Sequence, residues 1–163
     1  MSRADGVLSL DEIKVCPGWP GDNVVEQKRV AVLECMEDIP CNPCEVYCPK
    51  GAIVVGTPIT NLPVIDGNKC DGCSLCIAMC PGLAIFVVEK NYIENRSTVS
   101  LPYELLPLPN TGDKVKALDR KGDYVCDAKV LRVLKAKRYD KTNIVTIEVD
   151  KKYFNEVRNI KLF

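Results

Sequence analysis

The stretch Cys70-Asp71-Gly72-Cys73-Ser74-Leu75-Cys76-Ile77-Ala78-Met79-Cys80-Pro81 decides how this chain is read. Its spacing is C-x2-C-x2-C-x3-C-P, which puts four thiols within one short loop and the helix that follows it. An earlier block, Cys35-Met36-Glu37-Asp38-Ile39-Pro40-Cys41-Asn42-Pro43-Cys44-Glu45-Val46-Tyr47-Cys48-Pro49, nearly repeats it. A shift of 32 residues lays Cys41, Cys44, Cys48 and Pro49 onto Cys73, Cys76, Cys80 and Pro81. The same shift lays Ala52-Ile53-Val54-Val55 onto Ala84-Ile85-Phe86-Val87. Each half therefore reads as strand, cysteine loop, short helix, strand. The strands are expected over residues 29–33, 52–55, 63–66 and 84–89, where valine and isoleucine concentrate.

This paired pattern resembles the bacterial two-[4Fe–4S] ferredoxin fold, over roughly 60 residues of the chain. The resemblance implies a ferredoxin-like two-cluster domain with a pseudo-two-fold repeat; beyond it, short strands and tight turns over the last ~50 residues suggest a small all-β barrel-like domain of SH3-like or related type, for an α+β class overall. In such folds one loop supplies three ligands to a cubane cluster and the other half supplies the fourth. Carried onto this sequence, one [4Fe–4S] cluster takes Cys35, Cys41, Cys44 and Cys80, and the other takes Cys70, Cys73, Cys76 and Cys48. Pro49 and Pro81 are expected to turn the chain away from the cubes, since proline neither continues a ladder nor donates a hydrogen bond. Gly72, Ile77 and Ala78 are expected to leave room and to bring backbone N–H groups near the sulfurs.

The first block departs from the pattern, because the 32-residue register puts Asp38 in the first-ligand position and the nearest thiol, Cys35, lies three residues upstream. Three arrangements follow: a bulged loop over residues 36–40 with Cys35 as ligand, ligation through an oxygen, or a three-iron cluster. Cys35 is favoured, because a soft thiolate suits iron–sulfur chemistry better than a carboxylate. Structural zinc is the competing use of C-x2-C pairs, but two overlapping runs that each end in Cys-Pro do not divide into separate zinc tetrahedra.

The rest of the chain narrows the possibilities. No histidine occurs among the 163 residues, which removes Rieske ligation, histidine-containing zinc fingers and histidine-based acid–base catalysis. No apolar run is long enough to span a bilayer, and Met1-Ser2-Arg3-Ala4-Asp5 lacks the apolar core of a signal peptide. Cysteines spaced for metal fit a reducing cytoplasm. Residues 1–101 hold 8 Lys+Arg against 13 Asp+Glu, giving −5; residues 102–163 hold 14 against 9, giving +5. That switch predicts two units with different surfaces.

The divisions expected are an N-terminal arm (1–27), the cluster domain (28–100), a Pro-rich linker (101–112) and the barrel-like domain (113–163). Ser9-Leu10-Asp11-Glu12 fits a capping box that starts a short helix, and Cys16-Pro17-Gly18-Trp19-Pro20-Gly21 ends it. Strands are expected over 113–118, 124–135 and 143–149, with a bulge near Val130, Leu131, Val133 and Leu134, and one or two helical turns over 151–159. Cys126 reads as a small core residue, Cys16 as a free thiol, and Trp19 either as an interface anchor or as a cover over the core. Lys129, Arg132, Lys135, Lys137, Arg138 and Lys141 form a basic run, either a solvated face or a docking surface for an acidic partner. Neutral net charge and few nearby aromatic residues argue against nucleic acid.

No Gly-rich phosphate loop and no nucleophile–base pair are visible, so no catalytic residues are assigned. The expected role is that of an iron–sulfur subunit in a hetero-oligomeric oxidoreductase, passing single electrons between a flavin-containing partner and another acceptor. The stretch from Asp38 to Ile53 is similar to small ferredoxin-like subunits of FAD-dependent dehydrogenases, which implies a flavoprotein dehydrogenase partner and a place in anaerobic metabolism. A free ferredoxin-type carrier and a non-redox adaptor with structural clusters are the alternatives.

Overall fold

The computed structural model describes residues 6–163. The first five residues of the expected arm, and with them the N-terminal segment considered as a leader, lie outside the described residues. In chain order the elements are α1 (Leu10–Lys14), α2 (Asp22–Gln27), β1 (Val30–Leu33), α3 (Pro43–Val46), β2 (Ile53–Val54), β3 (Val64–Ile65), α4 (Leu75–Met79), β4 (Ile85–Ile93) and β5 (Arg96–Tyr103). Then follow β6 (Lys114–Leu118), β7 (Tyr124–Leu134), β8 (Asn143–Asp150) and β9 (Asn159–Leu162). Seven strands form one antiparallel sheet in the order β1-β4-β5-β8-β7-β6-β9, and β2 pairs with β3 as a separate ribbon.

Strand periodicity sends alternate residues to opposite faces, and both faces of this sheet are covered. Val30 and Val32 of β1, Phe86 and Val88 of β4, Val99 and Leu101 of β5, and Val145 and Ile147 of β8 enter one core. Ala31 and Leu33, Ile85 and Val87, and Ile144 enter the other, together with Cys44, Cys76, Ile77 and Tyr139. The two cysteine loops and α4 lie on this second face, with α4 packed on β4, β5 and β8.

Both units expected from the charge switch thus share one sheet. The Pro-rich segment does not begin as a linker at residue 101: Leu101, Pro102 and Tyr103 complete β5 and pair with Val145, Ile144 and Asn143 of β8. β4 and β8 flank β5, so the strand joins the cysteine half to the strand half. The register shift between Val130 and Arg132 puts a bulge at Leu131, within the region where broken alternation points to one.

From Gly6 onward the N-terminal arm packs into the first core. Ser9 and Glu12 form the capping box of α1, and Ile13 behind it is fully buried. Gly18 lies against β1, where an added Cβ would sit 2.3 Å from the Leu33 carbonyl oxygen, so a side chain is excluded there. Trp19 covers the first core and donates its indole N–H to Asp22, 3.1 Å away.

The sheet coils so that its two ends approach each other. Glu34, immediately after β1, accepts from Arg120 Nε and Nη2 at 2.8 and 2.7 Å and from Arg158 Nε at 2.6 Å, just before β9. Burial alone would push the Glu34 carboxyl up, but Arg158 and Arg120 outweigh it and hold the group below the ordinary carboxylate value. Arg158 is itself buried, its Nη1 donating to the Phe154 and Val157 carbonyls, its Nη2 without a hydrogen-bond partner, and its guanidinium 5.0 Å from the Phe86 ring.

A candidate iron–sulfur centre

The eight cysteines of the two blocks line two cavities. Cys35, Cys41, Cys44 and Cys80 line the first, together with Glu37, Ile39, Asn61, Pro63, Pro81 and Ile85. Cys48, Cys70, Cys73 and Cys76 line the second, together with Ala31, Pro49, Lys50, Ala52, Asp71, Gly72, Ser74 and Val87. Each cavity therefore draws three thiols from one block and one from the other. Asp38 is exposed and is not among the residues lining the first cavity, whereas Cys35 is.

Local structure explains the placement. Pro43 opens α3, where a missing N–H costs nothing, and α3 turns Cys44 inward. α4 does the same for the buried Cys76. Ser74, ahead of α4, adopts φ 69°, a left-handed conformation uncommon for serine, and is almost fully buried. Gly72 has φ +69°, and an added Cβ would meet Arg29 Cγ at 2.8 Å. This glycine does more than leave room; it lets the Cys70–Cys73 loop press against the residue preceding β1.

Among the described residues, the backbone N–H groups of three alanines point at cysteine sulfurs. Ala52 donates to Cys48 Sγ at 3.3 Å and Ala84 to Cys80 Sγ at 3.5 Å, the same bond in both halves of the repeat. Ala31 of β1 donates to Cys70 Sγ at 3.5 Å. These donors are not the expected neighbours Gly72, Ile77 and Ala78, but alanines at strand starts and on β1. The repeated Ala-Ile after each Cys-Pro is the sequence signal that carries two of them.

Without a positive group between them the thiols resist ionisation. Burial, then Cys80, pushes the Cys44 thiol up to about 11. Burial chiefly raises Cys35, Cys41, Cys73 and Cys76 as well, with neighbouring thiols adding to it. Cys44 is among the groups that raise Cys76, so the two cavities are neighbours. A donor set of soft sulfurs that oppose one another's charge suits a cationic iron–sulfur core, which converts them to thiolates. Among the described residues, no group of three or more His, Cys, Asp or Glu side chains is placed to hold a single metal ion.

Cys16 and Cys126 stand apart. Cys16 is buried in the arm, with its Sγ 2.9 Å from the Glu12 carbonyl oxygen, and Cys126 is half-buried on β7 against the first core. Two cations beside the second cavity carry no signal in the sequence. Lys28 Nζ donates to the Cys70 and Asn68 carbonyls at 2.6 and 3.0 Å. Arg29 Nη2 donates to Ser74 Oγ at 3.0 Å and Ser100 Oγ at 2.8 Å. Their partners lie forty or more positions away, so no local pattern marks them.

The family model of the 4Fe-4S binding domain matches residues 63–86, the second half of the repeat. An uncharacterized ferredoxin of Methanocaldococcus jannaschii is 31% identical over 93 residues, 56% of this chain and 56% of that protein. A subunit of an ion-translocating oxidoreductase complex from Methanosarcina acetivorans is 41% identical over 64 residues, 39% of this chain and 22% of its own length. Protein Pixie of Drosophila melanogaster is 26% identical over 133 residues, 72% of this chain and 21% of its own length. The chain thus spans about half the length of the first of these relatives and about a fifth of the other two. No solved structure matches it. The chain carries a 4Fe–4S ferredoxin-type domain.

Proposed function

We propose that this protein is an electron-transfer subunit of a multi-subunit oxidoreductase, holding two [4Fe–4S] clusters. Cys35, Cys41, Cys44 and Cys80 hold one, and Cys48, Cys70, Cys73 and Cys76 the other. The observation that carries this is the crossed lining of two neighbouring cavities, three thiols from one block and one from the other in each. Thiols that surround a space favour a cluster over a mononuclear zinc site, which needs its ligands around one ion.

Each group, when bound, supplies a one-electron couple. The chain's own residues hold it, shield it and set its environment: Ile77, Ile85 and Val87 keep bulk water from the inner side, and the alanine N–H groups bond the sulfurs. The partner is a flavin-containing dehydrogenase subunit, and the compartment is the reducing cytoplasm. A relative that is one subunit of an oxidoreductase complex supports assembly with other chains. Among the described residues no helix is long and apolar enough to cross a membrane.

Anaerobic purification from the native host, with iron and sulfide analysis and a visible spectrum, tests this. About eight irons per chain and a fixed-ratio partner whose flavin bleaches with the clusters are expected. About four irons per chain would remove the second cluster; a lone brown protein that binds no flavoprotein would make it a free carrier. Cys35→Ser should alter only one of the two cluster EPR signals, and unchanged iron content and spectra in that variant would remove Cys35 from the ligand set.

A further inference from the structure

The two cavities have similar thiols but different electrostatic surroundings. Beside the second lies Arg29, its Nη2 bonded only to neutral hydroxyls, Ser74 Oγ and Ser100 Oγ. Its Nε is buried with no hydrogen-bond partner. Ser100 shares a bond of 2.8 Å with Thr146 Oγ1, so the guanidinium is anchored through β5 and β8 without a carboxylate. Gly72 presses the cysteine loop onto the Arg29 stem. Lys28 adds a second cation on the Cys70 carbonyl. The other charges lining this cavity, Lys50 and Asp71, pair with each other at 3.4 Å and largely cancel.

Around the first cavity the balance is reversed. Glu37 is the charged residue lining it, and no cation among the lining residues offsets its carboxylate. Glu45 of α3 spends its carboxylate on the Val55 and Gly56 N–H groups.

A [4Fe–4S] cluster with four thiolates goes from net −2 to −3 when it takes up one electron. A nearby cation stabilises the more negative form, and so do N–H bonds to sulfur; a carboxylate destabilises it. Burial around Cys76 opposes reduction, but the same low dielectric strengthens an unpaired guanidinium that shares it. We propose that Arg29 sets the order of the two potentials, holding the cluster bound by Cys48, Cys70, Cys73 and Cys76 above the one bound by Cys35, Cys41, Cys44 and Cys80. The first electron added then rests at the second site, so electrons enter by the Glu37 side and leave by the Arg29 side. This rests on the two-cluster assignment above.

An anaerobic potentiometric titration of the holoprotein, with dithionite as one-electron donor and EPR as readout, tests it. Wild type should give two reduction waves, with Cys35→Ser perturbing the lower. Arg29→Gln should move the upper wave to more negative potential and leave the lower in place. Arg29→Lys, which keeps the charge but not the fork that spans Ser74 and Ser100, should move it less. Glu37→Gln should raise the lower wave. Two intact clusters whose waves are unmoved by Arg29→Gln would overturn the proposal, as would Cys35→Ser perturbing the upper wave. If Arg29→Gln loses its clusters, an unshifted upper wave in Ser100→Ala together with Arg29→Lys would overturn it equally. About four irons and a single wave in wild type would instead mark failure of the two-cluster assignment.

Discussion

Between Leu33 and Ile85 the elements are short: two-residue β2 and β3, four-residue α3 and five-residue α4. From Arg96 to Asp150 the chain builds strands of eight, five, eleven and eight residues whose pairing is broken by bulges at Leu131 and between Ala117 and Leu118. The cysteine half has few backbone ladders of its own and wraps two cavities; the strand half packs itself. The difference teaches where order comes from. With the clusters proposed above, the inorganic groups would be part of the scaffold in the first region, whereas the second rests on its hydrophobic core.

The largest effect should come from Cys76→Ser, which removes a thiol at the centre of the cysteine half. Hydrogen exchange should then show protection lost across residues 41–80 but kept in β5, β7 and β8. Loss in both regions would break the comparison. Next comes Glu34→Gln, which leaves Arg158 and Arg120 uncompensated and should cost about 3–5 kcal/mol in urea unfolding. The pH dependence of that loss follows from the depressed Glu34 carboxyl. Its folded pKa lies below the ordinary 4.5, so the contribution is complete above that pH and is lost as pH falls through the lowered value. The gap between wild type and Glu34→Gln should therefore close as pH drops below 4.5, measured by the unfolding midpoint at each pH. Ile147→Ala, at a fully buried position of β8, should cost about 2–5 kcal/mol with iron content unchanged. The smallest is Ser9→Ala, worth about 1 kcal/mol through the α1 cap and read by thermal unfolding.

What sequence could show depended on whether the signal was local. The cysteine spacing and the 32-residue shift are local, and the eight thiols they mark line the two cavities. The capping box of α1 and the bulge at Leu131 are equally close-range features. β5 was hidden because its buried residues include Ser97, Thr98 and Ser100, whose polar side chains interrupt the apolar pattern of a buried strand. The two serines are buried with hydrogen-bond partners that lie elsewhere: Ser97 Oγ donates to the Lys90 carbonyl at 2.6 Å, and Ser100 meets Thr146. β9 is only four residues, and its partner β6 is distant in the chain. Arg29 was hidden for the same reason, since Ser74 and Ser100 are 45 and 71 positions away.

The strand β5, laid between β4 and β8, has a mechanical consequence. Many redox assemblies carry electrons on a tethered head that swings between donor and acceptor. Here the cysteine half cannot swing on the strand half, because rotation would tear the ladder from Arg96–Asp150 to Tyr103–Asn143. Both cavities therefore ride at a fixed angle to the exposed Lys129 and Arg132 of β7. In the electron-transfer role proposed above, partners would approach a stationary target, and exchange would be set by their arrival and departure rather than by any travel within this chain.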